Sequence, residues 1–174
     1  MIGFRWRSLL GASVILFLLY GAANVLAALV VPTALIHGGA GASPGAVVLD
    51  ADSDAYLAGG KQVIDALRHD NPKLDTLLVS SMVSMCSQMM AFAIVAILVT
   101  WFAIRRGKTW GLWAVTAAAL AQVPYYVAIT TMYATQGAPI GRGLAGLVPL
   151  YVWPLIALAL GLVGMRQMQL SRAR

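Results

Sequence analysis

The chain has 174 residues, of which 60% are hydrophobic and only 10% are charged. Soluble domains carry about 25% charged residues, so this composition excludes an ordinary soluble domain and indicates one compact membrane protein. The net charge of +6 comes from basic residues at the ends of hydrophobic runs, where Lys and Arg set the orientation of membrane helices. Because these residues do not form the continuous basic surface that phosphate tracking needs, no nucleic-acid partner is expected.

The first hydrophobic run covers residues 8–36 and follows a short basic segment with Arg5, Trp6 and Arg7. A bilayer core about 30 Å thick needs about 20 helical residues, so this run is long enough to span it. A cleaved signal peptide is the alternative, with Arg5 and Arg7 as its basic start. Signal peptides have apolar regions of about 7–15 residues. The greater length of this run therefore predicts a retained membrane helix.

A polar loop at residues 37–73 follows the first run. All six acidic residues of the chain are Asp, and they lie within residues 50–75. Apolar residues at helical spacing predict a helix over about 53–70, capped by Asp52 or Ser53. We expect this amphipathic helix to lie at the outer mouth of the membrane domain with its apolar side down, as an interfacial helix or lid.

The same loop contains both histidines of the chain, His37 and His69. Together with Asp70 they are weak candidates for a metal site, but their spacing does not require one, and no metal or cofactor is predicted. The alternating Asp residues of segment 50–54 resemble the start of a calcium-binding loop, yet the Gly and Glu that such a loop needs are missing. This acidic cluster is expected to be solvated and to cap the helix.

Three further hydrophobic runs follow, at residues 74–104, 109–134 and 147–165. A basic hairpin joins the first two of them, and two tryptophans at the start of the next run are expected to anchor it at the interface. The predicted anchors at the N-terminus and the hairpin are Arg5, Arg7, Arg105, Arg106, Lys108, Trp110 and Trp113. The pattern predicts an all-α, polytopic membrane protein, an antiparallel bundle of four transmembrane helices that forms a single domain over residues 1–174.

The basic residues are distributed unequally between the two sides of this bundle. The N-terminus, the hairpin and the C-terminal tail together hold eight Lys and Arg residues, whereas the two opposite loops hold four. Since positive charge is enriched on the cytoplasmic side, both termini and the hairpin are expected in the cytoplasm and loop 37–73 outside.

The hairpin reads Trp101-Phe-Ala-Ile-Arg-Arg-Gly-Lys-Thr-Trp-Gly-Leu-Trp113. It resembles the corresponding hairpin of small, uncharacterised four-span bacterial membrane proteins. The resemblance implies the four-span fold but no activity. The chain is expected in the bacterial inner membrane. Nine Arg against three Lys also favours a GC-rich bacterial source.

Polar residues near the middle of the runs are the candidate ligand-binding site. Asn24, Gln88 and Gln122 occupy similar positions in their runs, with Ser84 and Tyr125 nearby. An amide that faces lipid is costly, so each is expected to point into the bundle and find a partner. Three interpretations stay open: interhelical contacts that only stabilise the bundle, a polar pocket for a ligand or substrate, and an interface with another subunit.

The interiors of the four runs carry no carboxylate, Lys or His, which removes most catalytic chemistry from the membrane. We therefore expect a non-enzymatic membrane protein, either an accessory subunit or a binder of small apolar molecules. A small-solute transporter that uses the polar midplane is the alternative. A membrane enzyme at the outer rim, based on His37 and His69, is third. The expected partners are the lipid bilayer and either a membrane protein or further copies of the chain.

Overall fold

The computed structural model describes residues 5–42 and 49–172, and within these ranges the chain is helical without any strand. A single 3₁₀ turn, Ala40–Ala42, and a π-helix, Thr100–Ile104, accompany the α-helices. In chain order the α-helices are α1 (Leu9–Gly38), α2 (Ala51–Ala58), α3 (Lys61–Asp70), α4 (Pro72–Val99), α5 (Thr109–Leu120), α6 (Val123–Thr135) and α7 (Gly141–Arg172).

Four helical segments of the described chain are long and apolar enough to cross a membrane. They are Leu9–Gly38, Pro72–Ile104, Thr109–Thr135 and Tyr151–Ser171. The predictions of an all-helical chain and of a multi-pass membrane protein are therefore confirmed. The fourth helix is longer than its predicted run of 147–165, since α7 begins at Gly141 and ends at Arg172.

The helix predicted over 53–70 is two helices, because the chain breaks at two glycines. Gly59 ends α2 in the left-handed conformation, with φ of 88°, which glycine adopts without the steric cost of a side chain. The N–H of Gly60 then donates to the carbonyl of Ala55 at 2.8 Å. This closes α2 in the manner of a Schellman motif.

Two of the predicted membrane helices also depart from a regular α-helix. The run 109–134 is interrupted at residues 121–122, just before Pro124, which has no N–H for the preceding turn. The run 74–104 ends in the π-helix, where the N–H of Arg105 donates to the carbonyl of Thr100 at 3.0 Å. This hydrogen bond joins residues five apart in the chain, whereas the hydrogen bonds of an α-helix join residues four apart, so the turn holds one extra residue.

The chain forms two compact units. The first unit comprises Met1–Val25, Ala91–Val123 and Pro149–Arg174, and the second comprises Leu26–Met90 and Pro124–Val148. The prediction of one membrane domain over residues 1–174 stays a prediction.

The core of the first unit contains Phe17, Ile104 and Leu112, all fully buried. Helices α1 and α7 are also joined by polar contacts. The hydroxyl of Ser13 donates to the carbonyl of Ala157 at 2.6 Å, and the indole N–H of Trp153 donates to the carbonyl of Leu16 at 3.1 Å. The contact further along α1, at Leu16, is made with a residue nearer the start of α7, at Trp153.

Small residues allow this close approach of α1 and α7. A Cβ atom on Gly164 would lie 2.3 Å from the backbone nitrogen of Leu10. A Cβ on Gly161 would lie 2.7 Å from the hydroxyl of Ser13 and 2.6 Å from a methyl of Leu112. The small pair of Ala157 and Gly161 that the sequence shows on this helix therefore lies at a helix–helix contact.

In the second unit, the end of α1 is tied to the start of α4. Asp75 is buried, and its carboxylate accepts a hydrogen bond from the backbone N–H of Ala40 at 2.7 Å. The guanidinium of Arg68 on α3 donates to the carbonyl of His37 at 2.6 Å. These contacts hold α3 and the 3₁₀ turn against the ends of the two long helices.

Candidate functional site

The five polar residues predicted to line a ligand site differ in their exposure. Asn24 is buried, and its Nδ2 donates to the carbonyl of Tyr20 on the same helix at 2.8 Å. The other four are exposed: Ser84, Gln88, Gln122 and Tyr125. Ser84 and Gln88 are one helical turn apart on α4. The Asn24 side chain is thus hydrogen-bonded within its own helix, whereas the other four side chains are exposed.

The exposed side of α4 carries a group of polar residues that we call the α4 polar face. Its members share one side of the helix at spacings of three and four residues, and all are exposed: Ser80, Ser81, Ser84, Ser87 and Gln88. Cys86 and Ala93, seven residues apart, are buried on the opposite side. In a soluble protein this would be ordinary amphipathicity, but α4 belongs to a candidate membrane span.

Two serines of this face satisfy their hydroxyls locally. Ser81 donates to the carbonyl of Leu77 at 2.9 Å, and Ser87 donates to the carbonyl of Ser84 at 2.7 Å. Gln88 lies sixteen residues from either end of the Pro72–Ile104 span. Within the described residues its carboxamide makes no hydrogen bond. No water replaces a missing partner at that depth in a bilayer.

Around α2, the acidic cluster is docked onto the chain rather than solvated. Asp50, not Asp52 or Ser53, is the N-cap of α2, and its carboxylate accepts the backbone N–H groups of Asp52 and Ser53, each at 3.0 Å. The hydroxyl of Ser53 lies 2.5 Å from Asp50 and 2.7 Å from the carbonyl of Pro139. The cluster caps the helix as expected and Asp52 is exposed, whereas Asp54 is buried rather than solvated.

Two further contacts fix α2 against the segment between α6 and α7. The hydroxyl of Tyr133 donates to the carboxylate of Asp54 at 2.6 Å, and Asp54 itself is buried. The guanidinium of Arg142 forms a hydrogen-bonded ion pair with Asp52. We call the group formed by Asp50, Asp52, Ser53 and Asp54 with these partners the α2 dock.

Electrostatics favour the charged form of Asp50. Partial burial acts to raise the pKa of this carboxyl group. Hydrogen bonds from the Ser53 hydroxyl and from the backbone N–H groups of Ser53, Asp52 and Gly143 outweigh that effect, so the pKa of Asp50 is lowered from its ordinary value of 3.8. A carboxylate that accepts several donors is stabilised as the anion.

The candidate metal ligands do not assemble into a site. His37, His69 and Asp70 are all exposed. Across residues 5–42 and 49–172, no group of three or more His, Cys, Asp or Glu side chains is arranged to hold a metal ion. The observed role of His37 is structural, since its carbonyl accepts the hydrogen bond from Arg68.

At the basic hairpin, arginines stack on aromatic rings. The guanidinium carbon of Arg105 lies 4.4 Å from the ring centroid of Trp101 and 5.8 Å from that of Trp6. Arg106 lies 5.7 Å from the ring of Phe102. The other predicted anchors Arg5, Arg7, Lys108, Trp110 and Trp113 are exposed.

Sequence reasoning missed both the α2 dock and the pairing of Arg105 with Trp6. Asp54 and Tyr133 are 79 residues apart, and Ser53 is 86 residues from Pro139, so no local pattern could have connected them. A signal existed only for Arg105, because Trp6 and Trp101 each lie next to basic residues at the end of a hydrophobic run.

Comparisons with known proteins give no match to this chain. No protein-family model matches the chain, and neither curated proteins nor solved structures give a significant match.

Proposed function

We propose that the protein is a non-enzymatic accessory subunit of the bacterial inner membrane, which binds another membrane protein through the α4 polar face. The observation that carries this proposal is the outward position of Gln88 at the middle of a membrane-length helix. A membrane partner with a hydrogen-bonding group would satisfy this amide. The accessory role is thus favoured over a pocket enclosed within the chain, because four of the five candidate residues are exposed.

The composition of the α4 polar face suits contact with a partner helix. Serine side chains are small and let two helix backbones approach closely, while an amide can donate and accept a hydrogen bond across the contact. Such interhelical hydrogen bonds contribute about 0.6 kcal/mol on average and up to about 1.7 kcal/mol. Several such hydrogen bonds, together with close packing, would give an interface that is specific but of modest affinity.

The proposed arrangement is an antiparallel bundle of four helices with both termini in the cytoplasm. The order of contacts between α1 and α7 supports opposite directions for these two helices, since Leu10 lies beside Gly164 and Leu16 beside Trp153. The excess of basic residues at the termini and the hairpin supports the cytoplasmic assignment. The resemblance of the hairpin to four-span bacterial proteins supports the inner membrane.

Photo-cross-linking in native membranes tests the accessory role. A benzophenone amino acid placed at Ser84 should cross-link the chain to a second, different polypeptide, which mass spectrometry then identifies. The same probe at Val127, an exposed residue of α6 in the same unit, should give little of that product. Native mass spectrometry of gently extracted protein should show a heavier complex of matching mass.

Substitutions of Gln88 make this test specific. Gln88→Leu should lower the cross-linking yield at Ser84, whereas Gln88→Asn, which keeps the amide, should retain most of it. A product that contains only copies of this chain would contradict the accessory role and leave the face as a homo-oligomer contact. Equal yields from Ser84 and Val127 would remove the α4 polar face as an interface.

A further inference from the structure

Helix α3 has an apolar side that the chain covers only in part. None of its ten residues is buried. Ile64 and Leu67 are half-buried, whereas Val63 is 49% exposed. At about 100° per residue, Lys61 and Asp65 lie on the side of the helix opposite Val63, and both are exposed. One side of α3 is therefore charged and exposed, while an apolar edge of the other side is left uncovered.

Contacts within the second unit hold α3 at the ends of two membrane-length helices. The guanidinium of Arg68 donates to the carbonyl of His37, near the end of α1. A Cβ atom on Gly41, in the 3₁₀ turn after α1, would lie 2.9 Å from the carboxylate of Asp65 and 3.3 Å from its Cα. Asn71 alone separates α3 from α4. The end of α1 and the start of α4 therefore fix the position of α3.

The lengths of α1 and α4 give the depth of α3 in a bilayer. The two candidate spans have 30 and 33 residues, and a helix of 30 residues is about 45 Å long. A bilayer is about 40–45 Å thick when its headgroups are included, and its apolar core is about 30 Å thick. The end of α1 and the start of α4 are thus long enough to reach the headgroup layer. A helix held at these two ends is expected in the same layer.

Large apolar side chains are exposed at the neighbouring helix ends. Ile36 in the last turn of α1 and Leu74 and Leu77 in the first two turns of α4 are all exposed. Helix α2, in contrast, is held against the protein by the contacts of the α2 dock. The helix ends around α3 thus present apolar surface that suits lipid.

We propose that α3 binds the membrane surface, with Val63 directed towards the acyl chains and Lys61 towards water. Amphipathic helices with charged polar faces bind at the boundary between headgroups and acyl chains. Lipid is the expected partner rather than a protein, because a bilayer that surrounds α1 and α4 already meets α3 at their ends. Only α3 has this role, whereas the sequence predicted an interfacial helix or lid over about 53–70. This surface is separate from the α4 polar face, and its test needs no protein partner.

Environment-sensitive fluorescence of the full chain in phosphatidylcholine vesicles tests this arrangement. A nitrobenzoxadiazole label on Val63→Cys, in a Cys86→Ala background, should emit at shorter wavelength than in water and lose intensity when the lipids carry a doxyl quencher on an acyl chain. The same label on Lys61→Cys, two residues away and also exposed, should emit as in water and lose little intensity. Emission as in water from the Val63→Cys protein would overturn the proposal. A shift to shorter wavelength without quenching by lipid would also overturn it, since protein rather than lipid would then cover α3.

Glutamine variants show whether lipid holds the helix in place. Val63→Gln should increase deuterium uptake by the segment 61–70 in the same vesicles, whereas Lys61→Gln should leave the uptake unchanged. Glutamine has a higher helix propensity than valine, so weakening of α3 itself would not explain the increase. Equal uptake by the Val63→Gln protein and the unmodified chain would mean that Val63 does not hold α3 at the membrane, and the proposal would be wrong.

Discussion

Individual glycines decide how closely α1 and α7 approach. The nearest atoms to a Cβ on Gly164 are the backbone nitrogen and Cα of Leu10, at 2.3 and 2.8 Å. Around Gly161 the nearest atoms belong instead to the side chains of Leu112 and Ser13. Backbone cannot move aside without shifting a whole helix, whereas a side chain can change rotamer, so the two glycines are not equally replaceable.

Alanine at these positions should destabilise the protein in a definite order. Gly164→Ala should lower the free energy of unfolding by about 1–3 kcal/mol through overpacking, and Gly161→Ala by less. Gly141→Ala is the matched control, because a Cβ there meets nothing within 4 Å. Thermal unfolding in detergent measures the series. A midpoint for Gly164→Ala equal to that of Gly141→Ala would contradict the close backbone contact.

At the scale of elements, α2 depends on contacts far from its own sequence. An eight-residue helix with two glycines after it is too short to be stable alone. Its N-cap and its contacts with Tyr133 and Arg142 supply the missing stability. Carboxylates make these contacts of the α2 dock.

Acid should loosen α2. Because the pKa of Asp50 is lowered in the folded chain, its contribution is fully present above its ordinary value of 3.8 and is lost as the pH falls below that value. Hydrogen–deuterium exchange of the segment 49–58, corrected for intrinsic rates, should show less protection at pH 3 than at pH 7.

Asparagine provides the control for this pH effect. Asp50→Asn keeps a good N-cap but does not titrate, so its loss of protection at pH 3 should be smaller than that of the unmodified chain. An identical acid response in both proteins would mean that Asp50 does not control α2.

The element boundaries show what the sequence could predict and what it could not. Hydropathy alone located four membrane-length helices, because an apolar run of that length has few structures open to it other than a membrane-spanning helix. The break at Gly59 depends on a left-handed conformation that glycine permits but does not require. The outward position of Gln88 was hidden for a different reason: an amide that faces lipid is costly, so the polar side of α4 was expected to point into the bundle.

For the whole molecule, the distribution of charge gives a testable orientation. Single cysteines at Lys61 and at Lys108, in a Cys86→Ala background, place probes in the first loop and in the basic hairpin. A membrane-impermeant maleimide should label the Lys61→Cys protein in intact cells. It should label the Lys108→Cys protein only after permeabilisation. The reverse result would invert the proposed topology.

The π-helix has a consequence for how this chain tolerates insertions and deletions. Thr100–Ile104 contains one residue more than a regular helical turn would hold, so a single deletion there could restore a continuous α-helix without disturbing α4. Each residue of an α-helix turns the chain by about 100°. The π-helix takes up the extra residue within one turn, so Arg105 points nearly where it would point after that deletion. A regular α-helix of unchanged length would instead turn Arg105 by about 100°.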